Sequence, residues 1–235
     1  RNGKTFVDKD CILKNFGIQF KLWDKMSLES RTEIAFHEAG HATVSWLLPN
    51  ANPLLKVTII PRGKALGAAW YLPEERQITT REQMMEEMAA TIGGRVAEEI
   101  VNGKISTGAL SDLEKITKQA YAMVSYFGMS DKVGHLSFYD SQDGYSFNKP
   151  YSEKTAELID KEAKELIDAA HRKAHEVLEA NMEGLTKLAN LLLEREVIFT
   201  EDMENIFGPR KPKDGEEQKP EVVAPEIAEV PETVA

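Results

Sequence analysis

Two histidines and a glutamate fall within five residues, His37-Glu38-Ala39-Gly40-His41, and carry the most chemistry in this chain. On a helix, positions four apart share a face and lie about 6 Å apart along the axis. Both imidazoles then reach one metal ion. Glu38 sits beside the same face, where it can take a proton from a water polarised by that ion. The HExxH pattern therefore points to hydrolysis by a metal-activated water. The plain alternative is a helix that happens to carry two polar rings.

The element that must hold these residues is legible around them. From Arg31 to Leu48 there is no proline, and Gly40 is the single glycine. Ile34, Ala35, Ala42, Val44, Ser45, Leu47 and Leu48 give this stretch a broad apolar surface, and Pro49 follows. The pattern predicts a largely buried helix that stops at the proline. Two histidines and a glutamate buried there without partners would be costly, and a bound metal removes that cost. Gly40 costs a helix interior about 1 kcal/mol relative to alanine, so a close neighbour is expected against it. His171 and His175 repeat the spacing of four, but Arg172 follows the first where an acid would be needed. Their face carries Lys164, Asp168 and Glu179, and reads as solvated.

Composition narrows the classes. The chain has 235 residues, 42% of them hydrophobic, enough for one good-sized domain or two small ones. A formal charge of −10 argues against nucleic acid as a partner. Cys11 is the only cysteine, which excludes an internal disulfide and fits a reducing compartment. No apolar run is long enough to span a membrane, and no signal peptide is present. The first residue is Arg rather than Met, as expected of a piece of a longer chain.

The other elements follow from local pattern. Leu54–Ile60 and Leu66–Leu72 read as two strands joined by a turn at Arg62-Gly63-Lys64, a small hairpin or sheet edge. Thr80 caps a helix over about 81–101, which contains Gly93-Gly94 and ends at Asn102-Gly103. Gly93-Gly94 predicts close packing against another backbone. Ser111 with Glu114 fits a capping box that opens a helix to about Phe127. Residues 130–150 read as loop. Ser152 opens a long helical stretch to about Arg195, broken near 181–184, and Thr200 starts a last short helix. The fold class is mainly α: a helical zinc-peptidase domain with a small β-hairpin or sheet edge and HExxH on a buried helix. From Pro209 onward an acidic sequence without aromatic residues reads as a disordered tail.

A catalytic zinc takes three protein ligands and leaves one position open. HExxH supplies two. Glu98, Glu99 and Asp112 are the candidates for the third, and spacing does not choose among them. An acid such as Asp112 in a first helical turn is also favoured by the helix dipole alone.

Six segments occur in order: HEAGH, KVTIIPRG, LGAAWYLPEER, GGRVAEEI, STGALSDLEKITKQAYAMV and FGMSDKVG. Together, over roughly residues 31 to 208, they closely resemble the peptidase domain of the FtsH family of membrane-anchored, ATP-dependent zinc proteases. The resemblance implies one Zn²⁺ per chain held by His37, His41 and Asp112, with Glu38 as general base. It places Glu98 behind a ligand, as an orienting group. It implies an ATPase module in cis, which alone uses ATP, together with a homo-hexamer that takes in unfolded or membrane protein substrates. In the full-length protein it implies the cytoplasmic face of a bacterial inner membrane, or an organellar membrane. The chain itself contains no phosphate-binding G-x-x-x-x-G-K-[ST] loop. The expected division is therefore a remnant or linker after an ATPase module over 1–28, the zinc peptidase over 29–208 and the acidic tail over 209–235. Residues 7–28 depart from the family's usual glycine-hinged junction.

Two further expectations come from the residues. The run around Gly67, Ala68, Ala69 and Trp70 is a candidate substrate-guiding strand, to which an unfolded peptide adds by backbone hydrogen bonds. Ordinary core sheet is its alternative reading. The competing function is a hexamer-forming assembly domain whose metal site is structural or silent; a closed four-ligand site would mark it.

Overall fold

A computed structural model of the chain describes residues 26–60, 67–71, 78–138 and 151–213. The arrangement is mainly helical, as the periodicity predicts. It contains helices α1 (Leu28–Leu47), α2 (Arg81–Asn102), α3 (Leu110–Ser125), α4 (Glu153–Ala180), α5 (Met182–Arg195) and α6 (Thr200–Phe207). Strands β1 (Leu54–Thr58), β2 (Ala68–Tyr71) and β3 (Val197–Phe199) form one antiparallel sheet of order β2-β1-β3.

The helix α1 is the centre of the fold. It starts three residues earlier than the apolar pattern suggests, because Ser27 caps it by accepting from the Ser30 N–H at 3.1 Å. From Ala35 to Trp46 it is buried almost throughout. It packs against α2 and α5, and α4 packs on α2 and touches α1 as well. Gly40 and Gly93 make the crossing of α1 and α2 possible. A Cβ on Gly40 would lie 2.5 Å from the Gly93 carbonyl oxygen. The close neighbour expected of Gly40 is therefore the Gly93-Gly94 helix itself.

Pro49 stops α1, and the carbonyls at its C-cap and just beyond it are gathered from far along the chain. The Arg210 guanidinium donates to Leu48 O at 3.3 Å, to Pro49 O at 3.4 Å and to Ala51 O. Trp46 donates its indole N–H to Gly208 O at 3.0 Å. Composition puts Arg210 in the tail, yet it packs on the helix that carries HExxH. Residues 214–235 lie outside the described residues, as do 1–25 and the expected turn at 62–64.

The hairpin forms as predicted, with Lys56, Val57 and Thr58 of β1 opposite Trp70, Ala69 and Ala68 of β2. Among the described residues, β2 is an edge strand that pairs only with β1. β3 has no separate counterpart in the sequence expectation. Its three residues are ordered by pairing with β1, Ile198 opposite Val57, which a local pattern cannot show.

The start of α3 also differs from expectation. Ser111 does not cap it. The N-cap is Ala109, which makes no side-chain cap bond, and Leu110 N–H turns back to Thr107 O at 3.2 Å. The predicted break in the long helical stretch falls at Asn181, between α4 and α5.

Candidate metal centre

His37 and His41 lie one turn apart on α1, and Asp112 lies in the first turn of α3. The rings stand edge to face, with centroids 4.7 Å apart and planes at 83°. Each ring has its Nδ1 engaged. His37 Nδ1 donates to Glu98 Oε1 at 2.8 Å, and His41 Nδ1 donates to the Ala90 carbonyl at 2.9 Å. That fixes both tautomers, so that both Nε2 atoms present lone pairs toward the same point. The two Nε2 atoms are 3.0 Å apart, and Asp112 Oδ2 is 3.4 Å from each.

With their lone pairs free, three acceptors this close repel one another unless a positive charge, a proton or a metal ion, lies among them. The two distances to Asp112 also fit a particular ion, with the two Nε2 atoms somewhat closer. Donors about 2.0–2.1 Å from a tetrahedral zinc stand about 3.3–3.4 Å apart. Backbone space has been cleared beside them. A Cβ on Gly94 would lie 2.5 Å from His41 Nε2 and 2.7 Å from His37 Nε2. Any residue other than glycine at 94 would push the rings apart. The donor set, its spacing and this cradle all fit Zn²⁺.

The electrostatics point the same way. Burial disfavours the imidazolium of His37, but Asp112, Glu98 and Glu38 outweigh it and raise the pKa to about 9. Asp112 is partly buried, which opposes its charge, yet the two histidines hold its carboxyl well below the usual carboxylate range. Its other oxygen, Oδ1, lies 3.7 Å from Lys115 Nζ. Glu38 is buried, and burial raises its pKa against the pull of His41 and His37. A raised pKa makes a carboxylate a stronger base, which suits a group that must take a proton and give it up again.

The remaining predicted residues fall into place unequally. Glu98 is at the back of His37. Glu99 points elsewhere, to Arg95 at 3.4 Å and His171 at 2.8 Å, so that one of the three rivals for third ligand is far from the pair of rings. Gly67, at the head of β2, is pressed against the Glu38 carboxylate, and a Cβ there would collide with it. Alternation puts Ala69 on the same side and Ala68 and Trp70 on the other. There Lys56 Nζ sits 4.8 Å from the Trp70 ring centroid. Three contributors escaped the residue-type reading: Gly94, the Ala90 carbonyl and Tyr71. The Gly-Gly pair was the only signal for the first. A carbonyl carries no signal in sequence. Tyr71 lies within the predicted strand and ends the observed β2, and its hydroxyl is kept protonated by burial and by the charges of Glu38 and Asp112.

The sequence signature of Peptidase family M41 matches residues 24–206. The chain belongs to peptidase family M41. An ATP-dependent zinc metalloprotease FtsH from Parabacteroides distasonis is 61% identical over 216 residues, 89% of this chain and 31% of the relative. A mitochondrial ATP-dependent zinc metalloprotease, FTSH 3 from Arabidopsis thaliana, is 50% identical over 80% of this chain and 23% of its own length. A mitochondrial inner membrane m-AAA protease component from Mus musculus is 49% identical over 77% of this chain. The chain thus spans about a quarter to a third of the length of these curated relatives. It is an FtsH-family zinc metalloprotease domain of HExxH type. Among the described residues, no helix of this M41 domain is long and apolar enough to cross a membrane.

Proposed function

We propose that this M41 domain is a zinc-dependent endopeptidase that hydrolyses unfolded polypeptides, with His37, His41 and Asp112 as its metal ligands and Glu38 as general base. The observation that carries this reading is the convergence of three donors, one each from His37, His41 and Asp112, beside a buried carboxylate. Among the described residues the donors number three, which leaves a position for chemistry, where a structural site takes four.

Zinc, when bound, supplies Lewis-acid polarisation of the substrate carbonyl and a lowered pKa for the attacking water. The chain's own residues do the rest. Glu98 and the Ala90 carbonyl hold the two Nδ1 protons, so that the Nε2 lone pairs stay available. Glu38 accepts the proton of the attacking water and passes it to the leaving amine as the peptide bond breaks. Gly67 keeps β2 close against Glu38, so a polypeptide paired with the outer edge of β2 lies beside the base. Backbone pairing of that kind is tolerant of sequence. It suits a protease with many substrates, and Gly67, Ala68, Ala69 and Trp70 form the guide.

In the full-length protein we place an ATPase module in cis, which uses ATP to feed substrate, and a homo-hexameric assembly at a bacterial inner membrane or an organellar one. The support is the ATP-dependent naming of relatives three to four times as long. Zinc content and casein cleavage, measured for the wild-type chain beside Glu38→Gln, test the reading. One zinc per chain in both, with cleavage only in the wild type, is the expected result. Absence of zinc from the wild-type chain would overturn it.

A further inference from the structure

The two histidine ligands and the aspartate come from different helices, and α3 begins without a side-chain cap of its own. Something other than local capping must decide where Asp112 lies. The loop between α2 and α3 is exposed from 102 to 108, yet one residue of it is held at three points. Arg95 Nη1 donates to the Ser106 carbonyl at 2.7 Å. The Ser106 N–H donates to Glu98 Oε2 at 3.0 Å, and its hydroxyl donates to Glu98 Oε1 at 3.1 Å. Arg95 and Glu98 lie three apart, on one face of the last turns of α2. On its other side, Ser106 Oγ accepts from Gly108 N–H at 3.0 Å, which closes the turn leading into α3.

Glu98 Oε1 therefore serves two donors, His37 Nδ1 and Ser106 Oγ. One carboxylate orients the first ligand and anchors the loop that launches the third. We propose that Ser106 is a positioning residue of the metal site: through its hydroxyl it holds Glu98 against His37 and pins the loop from which α3, and with it Asp112, departs. This deepens the zinc-site reading and rests on it. The side chain is exposed, so removing its hydroxyl opens no cavity, and the backbone N–H bond to Glu98 survives. The effect should therefore appear in metal affinity rather than in folding.

The test is zinc affinity by chelator competition for the wild-type chain, Ser106→Ala, Ser106→Thr, Glu98→Gln and the double variant Ser106→Ala/Glu98→Gln. The melting temperature of each zinc-free chain is measured alongside. Partners of ligating histidines typically carry 10–100-fold in affinity, so Ser106→Ala should weaken zinc by about tenfold. Ser106→Thr, which restores the hydroxyl, should stay within about threefold of wild type, and in the Glu98→Gln background Ser106→Ala should add less than about twofold. Unchanged affinity in Ser106→Ala overturns the proposal. So do losses that simply multiply in the double variant, or a loss that only tracks a lower zinc-free melting temperature. A wild-type chain with no measurable zinc affinity defeats the zinc-site reading itself, a different failure.

Discussion

The chain carries two pairs of histidines spaced four apart on helices, and they have opposite fates. His37 and His41 lie on the most buried helix, with ring centroids 4.7 Å apart and Nε2 atoms aimed at one point. His171 and His175 lie on α4 with centroids 6.3 Å apart, each about one-third exposed. His171 reaches across to Glu99 at 2.8 Å, and His175 lies 3.4 Å from Glu179 on its own helix. The second pair has cross-helix and local carboxylates but no convergence. Spacing put both pairs on a face. What separates them is what faces them. Opposite the first pair are a glycine that leaves room, a carbonyl and a carboxylate that hold the outer nitrogens, and an aspartate from a third element.

The sharpest way to break this contrast is at the base. Glu38→Gln should lower casein cleavage by roughly 10²–10⁴-fold while zinc content stays at one per chain. Near-normal turnover would remove Glu38 from its role. Next are the features that only the first pair possesses. Gly94→Ala puts a methyl against both Nε2 atoms and should take zinc content toward zero, as should Asp112→Asn. Zinc retained in full by Gly94→Ala would mean that the cradle does not matter. Glu98→Gln should be milder, with affinity lower by about 10–100-fold.

Proton release sharpens the comparison by another route. In the metal-free chain, the carboxylates around His37 raise its pKa to about 9, so near neutral pH the ring carries a proton that a metal must displace. Zinc affinity should therefore rise with pH and level off above about 9. Calorimetry in buffers of different ionisation enthalpy should show about one proton released near pH 7. The same shift has a sign for folding without metal. Its stabilising contribution is complete below the unfolded pKa of about 6.5 and is lost as pH rises through about 9. The smallest effect is expected at the second pair. His171→Ala and His175→Ala should leave zinc content unchanged and alter stability by about 0–1 kcal/mol, as befits half-exposed ion pairs. Loss of zinc from either would erase the distinction.

Much of this molecule is legible in the residues. The buried helix with HExxH, the hairpin, the helix over 81–102 and the break near Asn181 all follow from apolar period, caps and breakers, because those depend on residues within a few positions of one another. Where the reading slipped, the deciding contact was distant. Ser111 with Glu114 satisfies the capping-box pattern, but α3 starts at Leu110, after a turn held by α2 through Ser106. β3 exists because β1 offers it an edge. Arg210 belongs by composition to an acidic tail, and by contact to the end of α1.

The sequence by itself determined that two imidazoles and a carboxylate would share a helical face, since 3.6 residues per turn makes that a local matter. It also determined that this helix would be buried and would end at Pro49. Only the tertiary structure decided where Glu98, Glu99 and Asp112 stand relative to the two rings. It set Asp112 3.4 Å from both Nε2 atoms, put Glu98 behind His37 and turned Glu99 to His171. The physical reason is that a donor's role depends on which lone pair meets which atom, and residues 61 to 75 positions apart meet only when helices cross. That crossing is set here by two glycines, Gly40 and Gly93, whose missing side chains let one backbone approach the other.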